Sequence, residues 1–145
     1  MITTNIDILR TKSEDFKGTE EELNALYAVL DFELSHAPFQ GVALSAIQVN
    51  IPYRVAIIRS KTSNVNLYNA KIVKTEQPFV FKGEGCLSFP NQFIDTRRYN
   101  IVNVINGDGK ELKFSGFDAV VVQHEIGHWD GDLFIDHKLE AEATA

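Results

Sequence analysis

The chain has 145 residues, 44% hydrophobic and 23% charged, with a formal net charge of −6 at pH 7. That length supports a single domain, residues 1–145, with a core of its own, and no repeat or low-complexity tract suggests otherwise. Acidic residues gather in "SEDFKGTEEE" and near the C-terminus, with no basic stripe, so no nucleic-acid binding is expected.

The N-terminal "MITTNIDILR" lacks a basic segment followed by an apolar one and does not read as a secretory signal. No apolar run reaches the ~20 residues of a membrane span. The lone cysteine, Cys86, cannot form an internal disulfide. A cytoplasmic location fits, with the thiol kept for reactivity or metal binding.

The first long element is predicted from "TEEELNALYAVLDFELSHAPFQG". Thr19 caps it, acidic residues fill its first turn, and Leu23, Leu26, Tyr27, Leu30 and Leu34 recur at helical spacing until the chain stops before Pro38. "YRVAIIR" is a β-branched run that reads as a strand, and "NVNLYNAKIVKTEQPFVF" holds two weaker strand candidates. In "NIVNVINGDGKELKFSG" two β-rich arms flank Asn106-Gly107-Asp108-Gly109, a hairpin signal. The last helix is expected to start at a capping box, Ser115 with Asp118, and to stop at Gly131. Phe117, Val120, Val121, His124 and His128 then share one buried face. The order of helix, antiparallel strands and a helix carrying HExxH predicts an α+β domain.

"HEIGH" on that helix directs two imidazoles, His124 and His128, to one point, with Glu125 within reach of a water molecule. A chance HExxH in a chain of this composition is on the order of one percent, so a third ligand must decide the matter. In the HExxHxxGxxH pattern of one protease class the third histidine position is occupied here by Phe134, which cannot ligate. Glu140 and Glu142, the downstream glutamates, lie too near the chain end for a supporting helix, and Asp136 and His137 read as surface residues. Upstream, "GEGCLSFP" offers Cys86 just after Gly83 and Gly85, which bracket Glu84 and allow an unusual backbone there. A thiolate with two imidazoles makes a site with an open fourth position.

Three segments in this order resemble the peptide deformylase family, which is marked by GxGLAAxQ, EGCLS and QHExxH. They stand here as "GVALSAIQ" (41–48), "EGCLS" (84–88) and "QHEIGH" (123–128). The resemblance implies hydrolysis of the formyl group from the formylmethionine of new polypeptides, releasing formate. It implies Cys86, His124 and His128 as ligands of one divalent ion, Fe2+ as the family's usual metal, with Zn2+, Ni2+ or Co2+ as alternatives. A divalent ion lowers the pKa of a water molecule to roughly 7, and Glu125 would take the proton and return it to the leaving amine. By the same analogy Gln48 and the Leu87 N–H meet the oxyanion, and Arg98 pairs with Glu84 to steady the cysteine segment. Gly41, Val42, Ala43, Phe117, Val120 and Val121 are assigned to substrate binding, with the valines and Phe117 around the methionine side chain.

The chain departs from the family pattern at four residues. Ala43 stands for a glycine and Ser45 for an alanine, and both are expected to crowd the substrate backbone or alter the turn. Gly127 replaces a common aspartate, at a cost of about 1 kcal/mol in helix propensity relative to alanine, and Trp129 replaces a leucine in the core. The ending "HKLEAEATA" leaves little to form the long C-terminal helix with which many bacterial members associate with the ribosome. Ribosome association is therefore not expected, and the short form is reminiscent of phage-encoded members. Two competing readings are a small HExxH metallopeptidase with a carboxylate third ligand and a non-catalytic member that binds formylated peptides or metal.

Overall fold

The computed structural model describes residues 1–139. A short helix α1 (Ile6–Leu9), capped by the Asn5 side chain, precedes helix α2 (Glu20–Ser35). The predicted Thr19 cap forms as a full capping box with Glu22, and Leu23, Tyr27 and Leu30 are buried as the spacing requires. Two three-stranded antiparallel sheets follow. The first pairs β1 (Ala43–Ser45), β2 (Val55–Arg59) and β3 (Asn64–Tyr68) with β2 in the centre. The second pairs β4 (Lys71–Cys86), β5 (Phe89–Ile105) and β6 (Glu111–Ser115) around β5. Helix α3 (Phe117–Trp129) and a short 3-10 turn (Phe134–His137) complete the described chain. No helix among the described residues is long and apolar enough to cross a membrane.

The alternation of a strand decides how the first sheet is buried. Val55 and Ile57, with Leu44, pack under α2 against Leu23, Tyr27 and Leu30. Ala56 and Ile58, with Ala43, face the other way and meet Val121, Val122, Ile126 and Trp129 of α3. Val102, Val104 and Phe114 of the second sheet close on the same cluster, so α3 lies between the two sheets. For this reason α3 is buried all round from Asp118 to Ile126 rather than along one stripe, and Phe117, expected on the buried face, is exposed at its start, which corrects the single-face expectation. Each large aliphatic side chain fully buried here contributes about 1.5–3 kcal/mol.

Three further expectations change. The predicted hairpin forms between β5 and β6, but β4 and β5 are far longer than the weak sequence signals suggested, and they enclose "GEGCLSFP". Cys86 is thus the last residue of a strand and Leu87-Ser88 is the turn to the next. β1 and the 3-10 turn Ala46–Val49, neither of which was anticipated, carry the "GVALSAIQ" segment. The capping box at α3 does not form: Gly116, at φ +62°, is the N-cap and has no side chain to accept from the first helical N–H groups. Asp118 instead accepts hydrogen bonds from the hydroxyls of Ser60, Thr62 and Ser63, which tie the loop after β2 to the start of α3.

Candidate functional site

Three separate elements deliver the site. His124 and His128 come one turn apart on α3, Cys86 from the end of β4, and Gln48 from the 3-10 turn after β1. His124 Nε2 and His128 Nε2 lie 3.2 Å apart, and Cys86 Sγ is 3.5 Å from His128 Nε2. Among the described residues these three form a group whose ligand atoms all lie within 4.8 Å of one another. A tetrahedral ion with metal–N near 2.05 Å and metal–S near 2.3 Å needs N···N of about 3.3 Å and S···N of about 3.6 Å. The donor set therefore suits one divalent ion in chemistry, and both measured separations from His128 Nε2 match a shared ion.

The environment aligns these ligands. Glu84, buried, accepts from His124 Nδ1 at 2.6 Å, which fixes the tautomer and turns Nε2 toward the cluster. Arg98 holds the same carboxylate bidentately, Nε to Oε1 at 2.8 Å and Nη2 to Oε2 at 2.6 Å, and Thr96 adds a hydroxyl bond at 2.6 Å. Both charged partners are 4% exposed. Burial opposes ionisation of Glu84, but the hydrogen bonds and charges of His124 and Arg98 prevail and hold its pKa at about 2. Gly83 supplies the positive φ of +75° that lets β4 kink there, and register shifts on either side of Glu84 turn its carboxylate inward.

Burial pushes His128 well below the ordinary imidazole range, and the nearby cations His124 and Arg98 add to the effect. At His124 burial acts the same way, yet the Cys86 thiolate and the Glu84 and Glu125 carboxylates outweigh it and raise the pKa. Glu125 is raised mainly by burial, with His124 and the Ser45 hydroxyl pulling it back. His128 Nδ1 is buried without a hydrogen-bond partner among the described residues. Phe134, at the third-histidine position of the protease pattern, is buried with its ring 5.7 Å from that of His124.

A cavity of about 440 Å³ opens over Cys86, His124 and Glu125. Gly41, Val42, Ala43, Gln48, Leu87, Phe117, Val120 and Val121 all line it, while Arg98 and His128 stand behind its wall. A side chain at Gly41 would force Leu87 to move, because a Cβ would come within 2.6 Å of Leu87 Cδ1. Sequence reasoning missed four aromatic residues of the wall, Phe39, Phe81, Phe89 and Phe93. Phenylalanines on both sides of "EGCLS" were the available signal for the last three. It also missed Ser88, whose Oγ accepts from Gln48 Nε2 at 3.1 Å. Ser45 does not crowd the cavity as expected: its side chain turns toward α3 and bonds Glu125. Trp129 is fully buried and donates Nε1–H to the Val55 carbonyl at 3.3 Å. Glu140 and Glu142 lie outside the described residues. Asp136 pairs with Arg10, and Asp132 with His137 at 2.6 Å.

The family model described as polypeptide deformylase matches residues 1–143. A peptide deformylase of Elusimicrobium minutum is 35% identical, over 94% of this chain and 86% of its own length. Among solved structures, the peptide deformylase of Thermotoga maritima superposes with a TM-score of 0.85 at 29% identity, covering 97% of both chains. A probable peptide deformylase from Synechococcus phage S-SSM7 matches with a TM-score of 0.81 at 34% identity, over 94% of this chain and 98% of its own. The enzyme from Synechococcus elongatus, solved in complex with actinonin, matches with a TM-score of 0.85 at 28% identity, over 96% of this chain and 78% of its own. With this agreement along nearly its whole length, the chain belongs to the polypeptide deformylase family of hydrolases.

Proposed function

We propose that the chain removes the formyl group from the N-terminal formylmethionine of polypeptides, with Cys86, His124 and His128 holding one divalent ion. The observation that carries this reading is the convergence of Cys86 Sγ and two imidazole Nε2 atoms on one point beside Glu125 and Gln48. Resemblance to the family favours Fe2+ as that ion, and its chemistry is to acidify a water molecule and polarise the formyl carbonyl. Glu125 takes the proton of the attacking water and delivers it to the departing amine nitrogen, which is otherwise a poor leaving group. The Ser45 N–H holds Gln48 Oε1 at 3.0 Å, which leaves the Nε2 donor facing Cys86 at 3.6 Å. From there Gln48 Nε2 and the Leu87 N–H stabilise the oxyanion, each such donor contributing about 10² to 10³ in rate. Val42, Phe117, Val120 and Val121 enclose the methionine side chain, and Gly41 and Ala43 lie along the peptide backbone.

The test is formate release from formyl-Met-Ala-Ser by anaerobically purified protein. Turnover that disappears, together with bound metal, in Cys86→Ala is the expected result. Absence of turnover with iron, nickel or cobalt bound would leave a binding protein. Cleavage of internal peptide bonds that survives Cys86→Ala would instead identify a peptidase.

A further inference from the structure

We propose that Ser45 is a positioning residue for this hydrolysis, its hydroxyl holding the Glu125 carboxylate while its backbone N–H holds Gln48. The inference rests on the deformylase reading and concerns a residue at which the family motif has alanine. Ser45 ends β1 and is fully buried, paired with Ala56 of β2 and facing α3. Its Oγ lies 2.9 Å from Glu125 Oε1 and 3.0 Å from the Glu125 carbonyl oxygen. The single hydroxyl hydrogen is shared between these acceptors, and the carboxylate is the stronger of the two.

Among the described residues no other side chain hydrogen-bonds the Glu125 carboxylate, whose Oε2 lies 4.0 Å from His124 Nε2. A glutamate with three side-chain torsions, buried and held by one donor, depends on that donor for its orientation. The same residue orients the amide across the cavity, since its N–H donates to Gln48 Oε1 at 3.0 Å. Base and oxyanion donor are thus fixed relative to each other through one residue of a short, buried strand. Active-site groups function within about 0.5 Å of their productive place, and a 1 Å error costs on the order of 10² in rate. Only the hydroxyl half of the arrangement depends on side-chain identity, so Ser45→Ala removes one constraint and leaves the other.

The experiment compares wild type, Ser45→Ala and Ser45→Thr for formate release, metal content and Glu125 conformation in crystals of the metal-loaded enzyme. Ser45→Ala is expected to lower kcat about tenfold with KM within about twofold of wild type and metal per chain unchanged. Its crystals should show the Glu125 carboxylate in more than one rotamer. Ser45→Thr keeps an oxygen on the same carbon and should recover most of the lost kcat. An alanine variant with wild-type kcat and a single Glu125 rotamer would overturn the proposal. So would an alanine variant slowed only through loss of metal or a raised KM, or a folded, metal-loaded threonine variant as slow as alanine. If the wild type itself releases no formate, it is the deformylase reading that fails.

Discussion

Gly127 is the residue of the metal helix whose identity the sequence alone did not explain. The turn after α3 folds back so that a Cβ at this position would lie 3.0 Å from the Asp132 carbonyl oxygen and 3.4 Å from its carboxylate. The Asp132 N–H also donates to the Gly127 carbonyl at 3.0 Å, so the opposing backbone is held in place. The helix-propensity cost of glycine, about 1 kcal/mol, is thereby set against a close approach that a larger residue would break. Gly127→Asp, which restores the family's common residue, should destabilise the protein by roughly 1–3 kcal/mol through overlap and repulsion from the Asp132 carboxylate. A urea titration showing an equal or higher midpoint would refute this. Arg98 poses a separate question, because it touches none of the proposed ligands yet orients His124 through Glu84. Arg98→Leu leaves Glu84 buried with one strong partner fewer, and should weaken metal affinity by about 10- to 100-fold in a chelator competition. Unchanged affinity would mean that the pair supports only the fold.

At the scale of elements, the start of α3 separates what the sequence suggests from what the fold does. Ser115 and Asp118 have capping-box spacing, but Ser115 is an exposed residue at the end of β6, and Asp118 is buried against three hydroxyls from the loop after β2. Burial opposes ionisation of Asp118, but those hydroxyls outweigh it and lower the pKa. Ser115→Ala should therefore stay within about 0.5 kcal/mol of wild type, whereas Asp118→Ala should cost about 2 kcal/mol. The opposite ranking by chemical denaturation would restore the capping box. The same distinction explains which elements were legible. α2 has a local cap and a local period, and the β5–β6 hairpin has a local turn, so short windows reveal them. β1 is three residues long and exists only because β2 pairs with it. β4 is interrupted by Gly83 and Gly85, and its inner and outer residues depend on bulges fixed by β5, so neither strand shows clean alternation.

For the whole molecule, the residues proposed as ligands and base could be picked out because each lies in a short motif whose residue types suggest that chemistry. The contacts that orient them could not, because Ser45 with Glu125, Ser88 with Gln48 and Thr96 with Glu84 are made only when distant segments meet. The ends of the described chain meet in the same way. Arg10, which follows α1, donates both to the Asp136 carboxylate and to the Gly131 carbonyl, the latter at 3.0 Å. Gly131, at φ +72°, passes so close that a side chain there would run into the Arg10 carbonyl. The Arg10 hydrogen bond is the main cause that holds Asp136 at a pKa of about 2, outweighing burial and with help from the Leu133 N–H. An aspartate in the unfolded chain titrates near 3.9. The depressed folded value means that this tie stabilises fully above that pH and is lost as the pH falls through about 2. With Asp136 about one-third exposed, solvent screening limits the contribution to about 1 kcal/mol or less. Asp136→Asn should accordingly lower stability by up to that amount near neutral pH, and the gap from wild type should close toward pH 2. Arg10→Gln added to Asp136→Asn should cost less than the sum of the two single losses, because both changes break the Arg10–Asp136 pair and only the first also removes the bond to the Gly131 carbonyl. Denaturation of the metal-free forms across this pH range checks both statements, and additive losses, or a gap that persists at the acid end, would show that the termini are held by something other than this pair.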